Sequence, residues 1–319
     1  MTAPIIGIHH ITAMASDAQR NIDFYVSVLG LRLVKRSINQ DAPDVYHLYY
    51  GDETGTPGTA MTFFPFGRAA RGTRGSGEIS RVAFAVPPSS QLYWTQRLRS
   101  FGIAVDGPNT QFGEPVLTFP DPDGLLIELV FTERQTLRAP WKQGPVPSEH
   151  AIKAFYGVTM NLSDAGPTEE VLRDLLGAAI VSREGNRMRY SIGVGDHAAM
   201  IDLIADATMP HARQSAGSVH HIAWRVTDDA SEEYWRSKVE EHGLAPTEVI
   251  DRFYFHSIYF REPGGILYEI ATDNPGFTVD EPLESLGSKL VLPPWYEVHR
   301  SAIERSLPPI HLPERRDLQ

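Results

Sequence analysis

Two histidine doublets and one glutamate are the residues in this chain best placed to do chemistry together. GIHHITAM carries His9 and His10 near the N-terminus, SVHHIAW carries His220 and His221 far along the chain, and EPGGILYEI closes the same later stretch with Glu269. Two neutral imidazoles and one carboxylate suit a divalent iron and leave coordination positions open for other molecules. Zinc accepts the same donors but has no one-electron chemistry. For His10, His221 and Glu269 to serve one ion, segments from opposite ends of the chain must lie side by side.

An internal repeat supplies the reason they would. Residues 7–36 read as an apolar strand, then Ser16-Asp17, then a helical run with Ile22, Val26 and Leu29 that stops at Gly30, and LRLVKRSI, YHLYY and TAMTFF follow as three strands. The same order returns from ISRVAFAV with a stop at Gly102, from FYGVTMNL with a stop at Gly177, and from HHIAWRV with a stop at Gly243. About 20 residues separate a fixed point on each first strand from its glycine. Four βαβββ modules at one spacing form a repeat. The expected organisation is two modules in 1–134 (1–66 and 79–134), a linker at 135–150, two modules in 151–275 (153–206 and 218–275), and a C-terminal tail at 276–319 with a helix from about Pro294 to Arg305.

Superposing the modules exposes two slots in each, one on the first strand and one on the last. They hold His10 with Thr62, Arg81 with Glu128, Gly157 with Asp202, and His221 with Glu269. Only the first and fourth modules offer histidine, so a shared site takes His10, His221 and Glu269, with uncharged Thr62 in the fourth place. Arg81 and Glu128 read as a charge pair standing where a metal would otherwise sit. The fold class that follows is α+β, with module 1 paired to module 4 and module 2 to module 3 in two barrel-like domains. Strand alternation places His9 and His220 on the face opposite the ligands unless a bulge re-aims them. His47, His197, His211 and His256 have no support from the repeat and read as structural or exposed.

Composition narrows the partners. A formal net charge of -11 argues against nucleic acid or an anionic membrane surface, both of which call for clustered positive charge. Without cysteine there is no disulfide framework, thiolate metal site or cysteine nucleophile. No run approaches the roughly 18 apolar residues of a membrane span, so a cytoplasmic protein is expected. The Gly- and Arg-rich stretch FGRAARGTRGSGE at 66–78 lacks the spacing of a phosphate-binding loop and reads as a mobile connection.

Taken together, HHITAMASDAQRNIDFYVSVLGLRLVKR, YHLYYGDETGTPGTAMTFFPF, EGNRMRYSI, HHIAWRV and REPGGILYEIATDNPGF resemble the vicinal oxygen chelate superfamily. Within it they are similar to the branch of ring-cleaving dioxygenases acting on hydroquinones and chlorohydroquinones. The resemblance spans nearly the whole chain. It implies a non-haem Fe(II), with Mn(II) as the alternative, held at positions matching His10, His221 and Glu269. It also implies a small aromatic diol and O2 as partners. Residues near the metal in that family match His9, Thr12, His220, Arg252 and Tyr259. By that resemblance Arg252 stabilises a developing anion, Tyr259 hydrogen-bonds the substrate oxygen, and His220 or His9 moves protons. Two rivals share the modules: a glyoxalase-like isomerase, which usually has four protein ligands where this chain has Thr62 in the fourth slot, and a metal-free binding protein. A homo-oligomer, paired through exposed strands, is a further expectation.

Overall fold

The computed structural model describes residues 4–134 and 140–313; residues 1–3, 135–139 of the expected linker and 314–319 of the expected tail lie outside the described residues. Its four modules each contribute four strands. The first holds β1 (Ile8–Ala15), β2 (Arg32–Asn39), β3 (Ala42–Gly51) and β4 (Ala60–Pro65), and the second β5 (Glu78–Val86), β6 (Asp106–Gln111), β7 (Glu114–Pro120) and β8 (Leu126–Phe131). The third holds β9 (Ala154–Leu162), β10 (Ala179–Glu184), β11 (Arg187–Ile192) and β12 (Ala199–Ala205), and the fourth β13 (Val219–Val226), β14 (Ile250–Asp251), β15 (His256–Arg261) and β16 (Leu267–Thr272).

Local chemistry explains the helix that follows each first strand. In module one the Asp17 carboxylate accepts the Arg20 backbone N–H at 2.8 Å, capping α1 (Ala18–Ile22), which widens into a π-turn over Asp23–Val28. The corresponding helices are α2 (Gln91–Ser100), α3 (Gly166–Glu170) and α4 (Asp229–Glu241). All four stopping glycines adopt the left-handed conformation, with φ of 71° at Gly30, 71° at Gly102, 75° at Gly177 and 81° at Gly243. A side chain is disfavoured there, so the chain turns where each glycine stands.

Modules one and four form one eight-stranded sheet in the order β14-β15-β16-β13-β1-β4-β3-β2, and modules three and two form a second in the order β10-β11-β12-β9-β5-β8-β7-β6. Within each module the first strand runs parallel to the last, as in β1 with β4 and β13 with β16. Between modules the first strands meet antiparallel, β1 with β13 and β5 with β9. This is the α+β pairing of first with fourth and second with third. A single buried apolar cluster, including Ile11, Phe63, Phe84, Met160, Trp224 and Tyr268, spans both sheets.

In the second sheet the slots are closed by charge. Arg81 Nε lies 3.4 Å from Glu128, while Arg187 and Arg189 both reach Asp202, at 2.8 Å and 2.7 Å. A Cβ at Gly157 would fall 1.7 Å from the Met200 carbonyl oxygen, so the backbone approaches too closely for a ligand side chain.

One expectation changes. The 66–78 stretch is a pinned segment rather than a mobile connection: Gly72, Thr73 and Ser76 donate backbone N–H groups to the carbonyls of Ala216, Arg213 and Pro210, the matching connection between modules three and four. Gly75 permits this contact, since a Cβ there would meet Pro210 O at 2.1 Å. The tail's expected helix is present, opening as a 3-10 segment, Pro294–His299, and continuing as α5 (Arg300–Ser306). The tail is fastened to module one by the buried Lys35, whose ammonium lies 2.6 Å from both Asp280 and Glu281. Among the described residues no helix is long and apolar enough to cross a membrane.

Candidate metal centre

The antiparallel seam between β1 and β13 positions the site. Its register runs Ile8 to Trp224, then His10 to Ala223, so His9 is an extra residue; it runs Thr12 to His221, then Ala13 to Val219, so His220 is another. Each doublet therefore carries a bulge at its first histidine. An inserted residue bends the strand and breaks strict alternation. His9 and His220 consequently pack against His10 and His221, so the bulge exception to strand alternation applies at both doublets.

Three donor atoms converge at the seam. His10 Nε2 lies 3.2 Å from His221 Nε2 and 3.2 Å from Glu269 Oε2, and His221 Nε2 lies 2.9 Å from that same oxygen. Bonds of about 2.1 Å meeting at right angles place donors about 3.0 Å apart, the spacing of three ligands on one face of an octahedron. All three residues are buried, and the two imidazoles are the nearest polar neighbours of the Glu269 carboxylate. A carboxylate so enclosed, facing two imidazole edges, is balanced by positive charge, whether from a protonated imidazole or from a metal ion held by all three. The residues present fit a divalent metal. Burial opposes ionisation of Glu269, yet His10 and His221 hold it well below the ordinary carboxylate range. Thr62, in the fourth slot, is bound elsewhere: its hydroxyl lies 2.7 Å from Thr12 Oγ1 and 2.9 Å from His47 Nε2.

The bulges also pair the imidazoles, and so limit the tautomers a bound metal would need. His10 Nδ1 is 2.9 Å from His9 Nδ1, and His221 Nδ1 is 2.8 Å from His220 Nδ1. One nitrogen of each pair must carry the proton. If it is on His10 and His221, their Nε2 lone pairs face Glu269, as a metal requires. His9 and His220 then accept through Nδ1 and carry their own protons on Nε2. Burial, reinforced by His10, holds the His9 imidazole well below its ordinary value; burial and His221 bring His220 to about 3. Both are neutral at physiological pH.

In front of the donors opens a cavity of about 470 Å³ lined by His10, His220 and His221, by Arg252 and Tyr259, and by Tyr49, Phe64, Phe66 and Phe255. Arg252 Nε donates to Tyr259 Oη at 3.1 Å, and its guanidinium stands 3.3 Å from Asp41. Burial opposes the charge on Arg252, but Tyr259 and Asp41 raise it above its ordinary value. Tyr259 is shifted up by burial and then by Glu269, so it remains a phenol. Thr12 is wholly buried behind the seam, where it fixes Thr62, and it does not line the cavity.

His47, read from sequence as structural or exposed, lines the cavity, with Tyr49 Oη 2.6 Å from its Nδ1. Burial, then His10 and His221, keeps it neutral. The repeat held the signal. Tyr49 pairs with Thr62 across the sheet as Tyr259 pairs with Glu269, so extending the slot comparison by one strand would have drawn out Tyr49 and His47. His197, His211 and His256 lie outside the cavity wall.

The family model described as Glyoxalase/Bleomycin resistance protein/Dioxygenase superfamily matches residues 7–129 and 158–270. A Bacillus subtilis (strain 168) protein provisionally named ring-cleaving dioxygenase MhqO is 43% identical over 317 residues, 98% of this chain and 99% of that one. Chlorohydroquinone/hydroquinone 1,2-dioxygenase of Sphingobium indicum is 35% identical over 309 residues, 94% of this chain and 95% of that one. A crystal structure of a provisionally named dioxygenase from Bacillus subtilis subsp. subtilis str. 168 superposes with a TM-score of 0.93 at 42% identity, over 98% of this chain and all of that one. Glyoxalase I from Zea mays, at a TM-score of 0.61 and 16% identity over 84% of this chain and 92% of that one, shares the fold alone. With its repeated modules, its seam of histidine doublets and a family match across both halves, this chain belongs to the Glyoxalase/Bleomycin resistance protein/Dioxygenase superfamily.

Proposed function

We propose that this protein is a non-haem iron(II)-dependent ring-cleaving dioxygenase that opens a hydroquinone-type or catechol-type aromatic diol with O2, with Mn(II) as the alternative metal. One observation carries the reading: three buried donors converge on the wall of an aromatic-lined cavity, and the fourth slot holds a threonine committed to other partners. The names of the relatives above point to the same reaction class. A metal held by His10, His221 and Glu269 would supply the one-electron steps that let dioxygen react with a closed-shell ring.

The chain's own residues do the rest. Tyr49, Phe64 and Phe255 offer faces and edges between which an aromatic ring is held, and their apolar surface excludes water. Tyr259, kept protonated, donates a hydrogen bond to a substrate oxygen beside the donors, and Arg252 holds that phenol and compensates negative charge developing there. His220, with its proton on Nε2, offers that proton to the cavity while its Nδ1 orients His221. His9 orients His10 in the same way from a buried position. Tyr49, His47, Thr62 and Thr12 form a hydrogen-bonded chain that fixes the orientation of the His47 imidazole on the cavity wall. Self-association is assigned to the edge strand β10, all six of whose residues are exposed, including Ile180 and Val181.

Anaerobic loading with iron(II), followed by oxygen uptake with hydroquinone, catechol and the methylglyoxal hemithioacetal, tests the reading. Uptake with a diol and a ring-opened product are expected. Oxygen-independent turnover of the hemithioacetal would favour the isomerase, and bound iron with no uptake on any diol would refute the dioxygenase.

A further inference from the structure

A second group of ligating side chains lies on the other face of the same sheet. Along β15, Tyr259 lines the cavity, so alternation sends His256 and Ile258 towards α4. The inner stripe of α4 is Glu232, Trp235 and Val239, spaced as a core-facing helix edge, and Glu232 stands where an apolar residue would be expected. It is 0% exposed, and neither of its carboxylate oxygens has a hydrogen-bond partner. Asp228 caps the helix through Ser231 at 2.9 Å, leaving Asp229 uncommitted to that task. Asp229 instead meets His256 Nδ1 at 2.8 Å, and one donor atom each from Asp229, Glu232 and His256 lie within 4.8 Å of one another. That span is little more than the distance across an ion with bonds of about 2.1 Å.

An orphaned, buried carboxyl aimed at an imidazole and a second carboxylate has two ways to offset its burial. Taking a proton is one: burial, with Asp229 and Glu269 adding to it, pushes Glu232 up to about 8. A proton still leaves the acid without an acceptor for its O–H. A cation satisfies both carboxylates and the imidazole together. We propose that Asp229, Glu232 and His256 form a second divalent-cation site, taking a first-row ion such as Zn2+ that ties the first turns of α4 to the start of β15. One nitrogen and two carboxylates suit such an ion, and Asp229, which is exposed, and His256, which is partly exposed, give it a route in. The site is separate from the cavity and does not depend on the dioxygenase reading.

The test is Zn2+ binding by the chelator-stripped full-length protein, measured by calorimetry and by metal content after gel filtration. To silence the candidate metal centre, it is run in a His10→Ala, Glu269→Gln background. One Zn2+ per chain is expected in that background, with affinity falling at least tenfold on adding Glu232→Gln and, separately, Asp229→Asn. Should Glu232→Gln fail to fold, the exposed-side variants Asp229→Asn and His256→Asn decide. In the otherwise unaltered protein, Asp229→Asn should remove one bound Zn2+ and leave oxygen uptake with a diol unchanged. Absence of Zn2+ from the silenced background, or affinity unaltered by Asp229→Asn and His256→Asn, would overturn the proposal while leaving the seam site untouched.

Discussion

Replacing Glu269 by Gln tests the metal centre through stability rather than turnover. The carboxylate is 0% exposed, and its nearest polar neighbours are two imidazole nitrogens at 2.9 and 3.2 Å. A ligand that binds only the folded state stabilises it by about 4 kcal/mol when free ligand is roughly a thousand times its Kd. For 319 residues, an unfolding entropy of about 2.1 cal/mol/K per residue makes that a rise of about 6 °C in Tm. Anaerobic scanning calorimetry with and without iron(II), in an Asp229→Asn background to remove the second proposed site, should show that rise. Glu269→Gln should abolish it, because an amide keeps the shape but not the charge. Without metal, the Gln variant should unfold at or below the temperature of its parent, since the interaction with His10 and His221 that depresses Glu269 has been removed. An iron-dependent rise of equal size in Glu269→Gln, or none in the parent, would refute the assignment.

Other perturbations address the surroundings. Tyr259→Phe removes the donor held by Arg252 and should lower kcat about 5- to 30-fold, the equivalent of losing about 1–2 kcal/mol, with iron content unchanged. Thr62→Glu places a carboxylate in the fourth slot beside Thr12 and His47; metal should bind at least as tightly while oxygen uptake falls by at least an order of magnitude, as iron analysis and an oxygen electrode would show. Acid should destabilise the fold before it reaches Glu269. His9 is held neutral in the folded state below its ordinary value of 6.5, whereas the unfolded chain takes up its proton near that pH. Stability therefore falls as pH drops below about 6.5, by about 1.4 kcal/mol per pH unit for this imidazole, with His47 and His220 adding in the same direction. Glu269 is also held below its ordinary value, and its contribution is lost only as pH falls from about 4.5 downwards. Urea unfolding between pH 7.5 and 5 would register the slope.

The architecture was legible because it repeats. Four glycines at matching places and two slots per module were enough to bring His10 beside His221, since only modules one and four carry the donors. The bulges were not legible. A His-His doublet in a strand looks the same whether or not its first residue is inserted, and only the β1–β13 register shows that His9 and His220 turn back onto their neighbours. His47 escaped for a different reason: it sits on a middle strand, one alternation away from Tyr49, and the slots compared first and last strands alone. The charge-closed second sheet was partly readable. Arg81 with Glu128 was anticipated, but Arg187 and Arg189 converging on Asp202 depends on a strand pairing that no local pattern encodes.

Labelled dioxygen tests the central claim most directly. Iron(II)-loaded protein is given hydroquinone, or catechol, under 18O2, and the product is analysed by mass spectrometry. The account predicts a ring-opened product that takes its new oxygen atoms from dioxygen and is formed only when His10, His221 and Glu269 are intact. A product lacking the label, or labelled product formed equally well by His221→Ala, would contradict it.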